Sequence, residues 1–458
     1  MDLQVFATLG LGDNSYLLAS GDEAVLVDPQ RDAWRFLDAA KAKRVSIHHV
    51  LETHVHNDYL SGALETRSIT GAQIAVPAKG SYSFPHRPMM EGDEIRIGDL
   101  RLVVMETPGH TFEHISWLVY PERTETPVAM FTGGSLLVGS AGRTDLLGPE
   151  HTEELARAQF WSIKRLGGLP NEVQVFPTHG AGSFCMSSLP SSLKRTSTVG
   201  DERLLNPALA AGDEETFLDR QISNLLAYPR YYIHMGAINQ AGPKVLGRLP
   251  RPIALSSEEA NQRVEEGAWI IDGRDRLSFS QAHVSGSVNV ELDSAFGSYV
   301  GWVVPFNQRV ILVLPEPEEK SLEEAVTQLI RIGYEQVEGY LPGGIEAWQA
   351  SGKPVRSYEV ADIDDLCRAY MIGESLQVLD VRQRTEWQER HIPGSFHLFV
   401  GDIPHQPDRI PKGQVVWTIC ASGHRASIAA SLLERAGVQV KLVGRGGVPE
   451  WLARCYPG

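Results

Sequence analysis

Apolar positions in the first 250 residues recur in short runs rather than in long helical stripes. Ala24-Val25-Leu26-Val27-Asp28, Val50-Leu51-Glu52 and Leu102-Val103-Val104 are aliphatic or β-branched and are separated by Gly- and Pro-rich turns, which predicts strands. One amphipathic helix stands out among them. Thr152 is placed as its N-cap, with Glu153 and Glu154 in the first turn. Ala156, Phe160 and Ile163 share one face, and Gly167-Gly168 ends the element. Strands that carry long loops, with helices interspersed, predict a layered α/β sandwich.

The pattern changes after Leu249-Pro250-Arg251-Pro252, where the chain begins to repeat itself. Ile270-Ile271-Asp272-Gly273-Arg274 returns as Val378-Leu379-Asp380-Val381-Arg382, and His283-Val284-Ser285-Gly286-Ser287 as His391-Ile392-Pro393-Gly394-Ser395. Gly343-Gly344-Ile345-Glu346-Ala347-Trp348 returns as Gly446-Gly447-Val448-Pro449-Glu450-Trp451. Three landmarks in one order at a nearly constant offset imply a duplicated domain. Each copy alternates short β-branched runs with amphipathic stretches, the pattern of a parallel-sheet α/β unit. In the first copy Ser321 and Glu324 read as a capping box ahead of Leu322, Val326, Leu329 and Ile330, and Gly333 stops that helix. The partner helix runs through Ala429, Leu432 and Leu433 to Gly437. The expected domains are 1–250, 253–355 and 356–458, the last two divided near Gly352-Lys353-Pro354.

Length and composition suit that division. A chain of 458 residues accommodates three domains of about 100–250 residues each. A hydrophobic content of 42% against 22% charged residues is that of core-forming domains. No apolar run approaches the ~20 residues that span a bilayer, and the first residues lack the pattern of a signal peptide, so no membrane partner is expected. A formal charge of −15 argues against a nucleic-acid surface, which needs clustered Lys and Arg. Cys185, Cys367, Cys420 and Cys455 are scattered without pairing motifs, so a reducing, cytoplasmic setting with no disulfide framework is expected.

Three histidine-bearing segments follow apolar runs: Thr53-His54-Val55-His56-Asn57-Asp58-Tyr59, Thr107-Pro108-Gly109-His110-Thr111 and Pro177-Thr178-His179-Gly180. Histidines at i and i+2 of an extended segment point the same way and can converge on one ion. With Gly142-Arg143-Thr144-Asp145-Leu146 and His179-Gly180-Ala181-Gly182-Ser183, these segments resemble the metallo-β-lactamase superfamily. Within it they resemble the persulfide dioxygenase branch, which is often fused to rhodanese modules, and the resemblance extends over essentially the whole chain. It implies an αββα sandwich and a mononuclear non-haem iron site that oxidises a glutathione-like persulfide to sulfite. The candidate metal residues are His54, His56, Asp58, His110 and His179. Arg143 helps hold the thiol substrate or the wall of the site, or else forms a structural ion pair with Asp145.

Two positions depart from the family pattern. Tyr59 stands where a second-site histidine is usual. Gly134, in Phe131-Thr132-Gly133-Gly134-Ser135, stands where an Asp ligates the metal. Dinuclear hydrolysis therefore loses two ligands. His54, His56 and His110 remain as three imidazoles able to hold one Fe²⁺ or Zn²⁺, with occupancy expected to be substoichiometric and to rise in Gly134→Asp. Cys185 is read as a buried core thiol, with a persulfide-handling role as the alternative.

Cys420-Ala421-Ser422-Gly423-His424-Arg425 follows the apolar run Val415-Val416-Trp417-Thr418-Ile419 and precedes a helix. Backbone N–H groups at a helix start suit a thiolate, a persulfide or a bound oxyanion. Gly423 permits the tight turn, and Arg425 offers a forked donor for a sulfonate-like group. This six-residue loop resembles a rhodanese active site; phosphatases of that fold tend to have one residue more. Ala421, Ser422, Gly423 and His424 form the anion-binding loop, and Cys420 and Arg425 are the catalytic candidates. Asp380, Arg382, Glu386 and His391 are read as framework, and Cys367 and Cys455 as inert. In the first copy Leu314 replaces the cysteine and Pro315-Glu316-Pro317-Glu318-Glu319 replaces the loop. Prolines remove donors and carboxylates repel thiosulfate, so that copy is expected to serve as a spacer, docking or dimerisation domain.

The leading functional expectation joins persulfide oxidation in the first domain to sulfane-sulfur transfer at Cys420. The alternative is a sulfurtransferase alone, its first domain a degenerate thiol-binding or scaffold module. Expected partners are a low-molecular-weight persulfide and thiosulfate or sulfite, with a homo-oligomer allowed.

Overall fold

The computed structural model describes residues 1–187, 194–223, 225–410 and 413–455. The chain divides into two compact units, Met1–Leu249 with Ile330–Gly333, and Pro250–Leu329 with Tyr334–Gly458. No helix among the described residues is long and apolar enough to cross a membrane.

Among the described residues the first unit holds two six-stranded sheets. One runs in the order Asp2–Thr8, Asp13–Ser20, Glu23–Val27, Ser46–Leu51, Gln73–Pro77, Arg87–Met89. The other runs Ser197–Thr198, Gln174–Pro177, Ala129–Gly133, Ile115–Pro121, Leu100–Glu106, Glu94–Ile97. The alternation of side chains along each strand sorts them into layers. Tyr16 and Leu18 join Val25, Val27, Leu51, Trp117 and Phe131 in one cluster made by both sheets. Their neighbours Leu17, Ala19 and Leu26 face outward onto Phe36 and Ala40 of the helix Trp34–Lys43. On the far side Leu118, Met130 and Val175 meet Phe160 and Ile163 of the helix Thr152–Gly167. Each fully buried side chain of this size stabilises the fold by about 1.5–3 kcal/mol, so the double alternation sets the strand register firmly. The result is the expected αββα sandwich. Thr152 is the first residue of its helix rather than the cap; His151 takes the cap position without a side-chain bond, and the Thr152 hydroxyl donates to the Gly148 carbonyl instead.

The second unit contains both copies of the repeat. Parallel strands run Val288–Asn289, Trp269–Asp272, Val310–Val313, Val337–Tyr340 in the first copy. In the second they run Glu359–Asp362, Val440–Arg445, Val416–Ile419, Gln377–Asp380, Phe396–His397. The duplication holds at atomic detail. Arg274 pairs with Asp272 and donates to the Ala282 carbonyl, as Arg382 pairs with Asp380 and donates to the Arg390 carbonyl. His283 and His391 each bond, through Nδ1, the carbonyl four residues earlier. Ser321 does not cap a helix: the helix is Glu318–Arg331, Ser321 lies within it, and Glu324 accepts from Gln328. Capping boxes form instead at Ser256 with Glu259 and at Asp362 with Asp365. Cys367 and Cys455, read as inert and unpaired, are bonded to each other with Cα atoms 5.7 Å apart. Their separation of 88 residues hid the contact from sequence reasoning.

Candidate functional site

The strands Ser46–Leu51, Leu100–Glu106 and Gln174–Pro177 are followed by the loops that carry His54, His56 and Asp58, then His110, then His179. The rings of His54 and His56 lie 4.2 Å apart, those of His54 and His110 4.9 Å, and those of His110 and His179 5.3 Å. His114, which sequence reasoning passed over, stacks on His54 at 5.0 Å. All five imidazoles are buried.

Ligand atoms of His54, His110 and His179 lie within 4.8 Å of one another. The same holds for Asp28, His54 and His56, and for His56, Asp58 and His179. The three imidazoles read from sequence as one set, His54, His56 and His110, do not converge in this way, and His179 takes the third place. The reason is a pair of acids. His56 Nε2 faces Glu52 at 3.0 Å and Asp28 at 3.3 Å, and the Tyr59 ring stacks on the imidazole at 4.4 Å. Asp28 in turn accepts from the Thr53 amide at 2.8 Å, the Thr53 hydroxyl at 2.7 Å and the Thr178 hydroxyl. It holds this posture at φ 47°, left-handed backbone that a non-glycine residue adopts only when its surroundings enforce it.

Charge is divided unevenly over the cluster. Burial works against charge on His56, but Asp28 and Glu52 overcome it and raise its pKa well above the usual histidine value. Burial likewise opposes charge on His179, yet Asp58 and Asp13 lift it to about 9. Burial and the neighbouring His179 push His110 down to about 3, and burial with nearby imidazoles holds His54 well below the usual range. His54 and His110 are therefore neutral, the form that binds metals.

This arrangement fits a metal ion. His110 Nδ1 donates to the Arg143 carbonyl at 2.7 Å, which leaves the lone pair on Nε2. That Nε2 is buried with no hydrogen-bond partner, and so is His56 Nδ1. A buried polar atom without a partner calls for an explanation, and a lone pair on His110 Nε2 among the other imidazoles suits a bound ion. His54 Nε2 and His179 Nε2 lie 3.2 Å apart, within reach of one hydrogen bond between them. Gly134 brings no ligand atom. Its amide donates to His114 Nε2 at 2.9 Å, and a Cβ added there would sit 2.2 Å from His110 Cδ2.

Arg143 is buried and its fork is taken up. Nε and Nη2 each reach Asp145 at 2.7 Å, and Nη1 and Nη2 donate to the carbonyls of Phe184 and Leu226 at 2.8 Å. It ties three segments together around the cluster, the structural role set beside substrate binding in the sequence. Cys185 is buried, and desolvation with Asp58 and Asp13 nearby pushes its thiol well up, as expected of a core cysteine. Asp13, Asp28 and Glu52 were missed as functional residues. The signal for two of them was present, since Asp28 and Glu52 each close an apolar run with an acid.

In the second unit the strand Val416–Ile419 delivers Cys420 to the start of the helix His424–Arg435. Cys420 is 1% exposed, and the Gly423 amide donates to its Sγ at 3.1 Å. Gly423 has φ 95°, which only glycine adopts without strain. Ala421 and Ser422 complete the turn. His424 lies with Nδ1 3.9 Å from Asp293 and its ring edge-on to Tyr299 at 5.0 Å. Arg425 departs from expectation. Its fork does not stand open for a sulfonate but grips Glu386 through two bonds of 2.6 and 2.9 Å. Glu386, read as framework, therefore sets the direction of a catalytic candidate. In the first copy Leu314 is buried where the cysteine would stand, and the helix begins at Glu318, after the prolines.

Comparison with known proteins agrees with this division. Residues 9–179 match the metallo-beta-lactamase superfamily, and residues 256–351 and 365–454 each match the rhodanese-like domain. A metallo-beta-lactamase structure from Staphylococcus aureus subsp. aureus COL is 30% identical with TM-score 0.66, covering 74% of this chain and 98% of that one. Two proteins named hydroxyacylglutathione hydrolase are similar to part of the chain. One, from Methylobacillus flagellatus, is 31% identical over 38% of this chain; the other, from Methylobacterium sp. (strain 4-46), is 28% identical over 43%. This chain spans 66% of the first and 86% of the second. The chain belongs to the metallo-β-lactamase superfamily and carries two rhodanese-like domains behind that fold.

Proposed function

We propose that this protein handles sulfane sulfur at two centres, transferring it at Cys420 and oxidising a low-molecular-weight persulfide at the histidine cluster. The observation that carries the reading is the Gly423 amide on Cys420 Sγ at the start of a helix. Backbone donors there stabilise negative charge on sulfur. With thiosulfate as donor, the Cys420 sulfur attacks the outer sulfur, an S–S bond forms, and the S–S bond of thiosulfate breaks as sulfite leaves with the electron pair. An acceptor thiolate or cyanide then takes the terminal sulfur and releases the cysteine.

The second half rests on the unpartnered His110 Nε2 and on the dioxygenase-like motifs around it. His54, His110 and His179 would hold the ion, while Asp28 and Glu52 keep His56 charged beside it and Tyr59 closes the wall. Iron bound there would supply redox chemistry with dioxygen, whereas zinc would supply Lewis acidity alone. Hydrolysis of hydroxyacylglutathione, the activity in the names of the two relatives, is set aside. The resemblance places its bridging carboxylate and second-site histidine at Gly134 and Tyr59, where no such ligand remains.

Two assays test the halves separately. Thiosulfate-to-cyanide turnover should disappear in Cys420→Ser and persist in Cys455→Ser; substantial turnover by the Cys420 variant would sink the sulfurtransferase. Oxygen uptake with glutathione persulfide should require added Fe²⁺. No uptake at saturating iron would leave a sulfurtransferase whose first unit is a scaffold.

A further inference from the structure

The copy without a reactive cysteine reaches into the Cys420 loop. Arg276, the first residue of the helix Arg276–Gln281, donates from Nη1 to the Ser422 carbonyl at 2.7 Å. The same nitrogen lies 3.4 Å from the Gly444 carbonyl. Two further donors go to Glu291, from Nε at 2.9 Å and Nη2 at 2.8 Å, and Glu291 also accepts the Arg276 amide at 2.7 Å. The guanidinium is thus held by one side so that the other can address the loop.

We infer that Arg276 is a positioning residue for Cys420, fixing the one peptide plane whose N–H rests on the sulfur. The Ser422 carbonyl and the Gly423 amide belong to the same peptide unit. In a planar trans peptide those two groups point in opposite directions. A donor that holds the carbonyl on one side therefore keeps the N–H on the other, where Sγ lies 3.1 Å away. Without the clamp the φ side of a flip of this plane is open, because glycine accepts φ of either sign. Gly423 is also what lets the clamp close: a Cβ there would stand 2.8 Å from Arg276 Nη1. The carbonyl, polarised by a cation, makes its own amide a better donor to the sulfur.

Other side chains of the first copy reinforce the clamp. Asn289 Oδ1 accepts from the Ser427 hydroxyl at 2.6 Å and the Asn289 backbone N–H donates to the Ser431 hydroxyl oxygen at 3.0 Å, and both serines lie on the helix that begins at His424. Tyr299 lies edge-on to His424. The first copy has lost its own chemistry and serves as one wall of its neighbour's.

The inference rests on sulfur chemistry at Cys420, so the test reads the sulfur with and without a sulfur donor. In the full chain, Cys420 alkylation by iodoacetamide at fixed pH is followed by peptide mass spectrometry, alongside thiosulfate-to-cyanide kinetics. Arg276→Met is expected to slow both Cys420 alkylation and kcat about ten-fold, with KM for cyanide unchanged. Arg276→Lys should recover part of the loss. Should the Met variant fail to fold, Glu291→Gln, which keeps Arg276 but loosens it, should slow both about three-fold. Parental alkylation and kcat in a folded Arg276→Met, or in Glu291→Gln where the Met variant does not fold, would overturn the inference. If the parent alkylates normally yet never turns over thiosulfate, the sulfurtransferase reading fails, and the alkylation rates of the variants still decide the role of Arg276.

Discussion

At Gly134 the missing side chain and the His110 ring are complementary, for the ring lies where a Cβ would go. An aspartate cannot be restored there without moving an imidazole that is tied by Nδ1 to the Arg143 carbonyl. The expected rise of metal occupancy in Gly134→Asp is therefore revised. That variant should lose about 1–3 kcal/mol of stability through overpacking and gain no metal. Denaturant midpoints and metal per chain check this; an unchanged midpoint with more metal would show that His110 swings away freely. A second residue-level prediction concerns Glu386. Burial opposes its charge, but Arg425 overcomes that and holds its pKa below the usual glutamate value. A depressed carboxylate contributes stability above its unfolded pKa, and that contribution is lost as pH falls through the folded value. Glu386→Gln should therefore lower stability at pH 7, and its midpoint should converge on that of the parent only as pH falls below the usual glutamate range. Arg425→Lys cannot grip both oxygens, so both variants should weaken thiosulfate use, about ten-fold in kcat/KM. Unaltered kinetics in Glu386→Gln would show that Arg425 needs no orientation.

Strands and loops divide what the sequence made legible from what it did not. The alternation that sends Tyr16 inward and Leu17 outward is local, and so are the histidine segments and the Cys420 turn; each could be read from a few neighbouring residues. What was missed depends on partners far along the chain. Arg425 is aimed by a glutamate 39 residues away, and Arg276 meets Ser422 across 146. His56 is turned by Asp28 and Glu52, acids that close two different strands. The Ser321 capping motif failed for a local reason, since prolines just upstream let the helix begin at Glu318. The Cys420 turn itself can be tested as an element. Gly423→Ala places a Cβ 2.6 Å from the Gly444 carbonyl at a backbone angle costing about 1–2 kcal/mol for a side-chain-bearing residue. Thiosulfate turnover should fall more than ten-fold, and calorimetry should show the second unit unfolding several degrees lower. Full activity in that variant would mean that the turn tolerates rearrangement and that the Sγ contact is dispensable.

For the molecule as a whole, the two proposed chemistries are complementary in their reactants. Transfer from thiosulfate to a thiol yields a persulfide and sulfite. Oxidation of that persulfide with dioxygen and water returns the thiol and yields a second sulfite with two protons. The sum consumes one thiosulfate, one dioxygen and one water for two sulfites, with the thiol regenerated and able to act in catalytic amount. Neither centre completes that sum alone. Iron-loaded protein given thiosulfate and a trace of glutathione should therefore take up oxygen and release about two sulfites per dioxygen, as this balance requires. Cys420→Ser should abolish the uptake with thiosulfate but spare it with preformed glutathione persulfide. The double variant His54→Ala, His110→Ala removes two neutral imidazoles of the cluster, so it should lose bound metal and oxygen uptake with either substrate while keeping thiosulfate-to-cyanide turnover. Oxygen electrode traces and sulfite assays on the three proteins separate the cases. Oxygen uptake that survives in the double histidine variant would remove the first unit from the reaction.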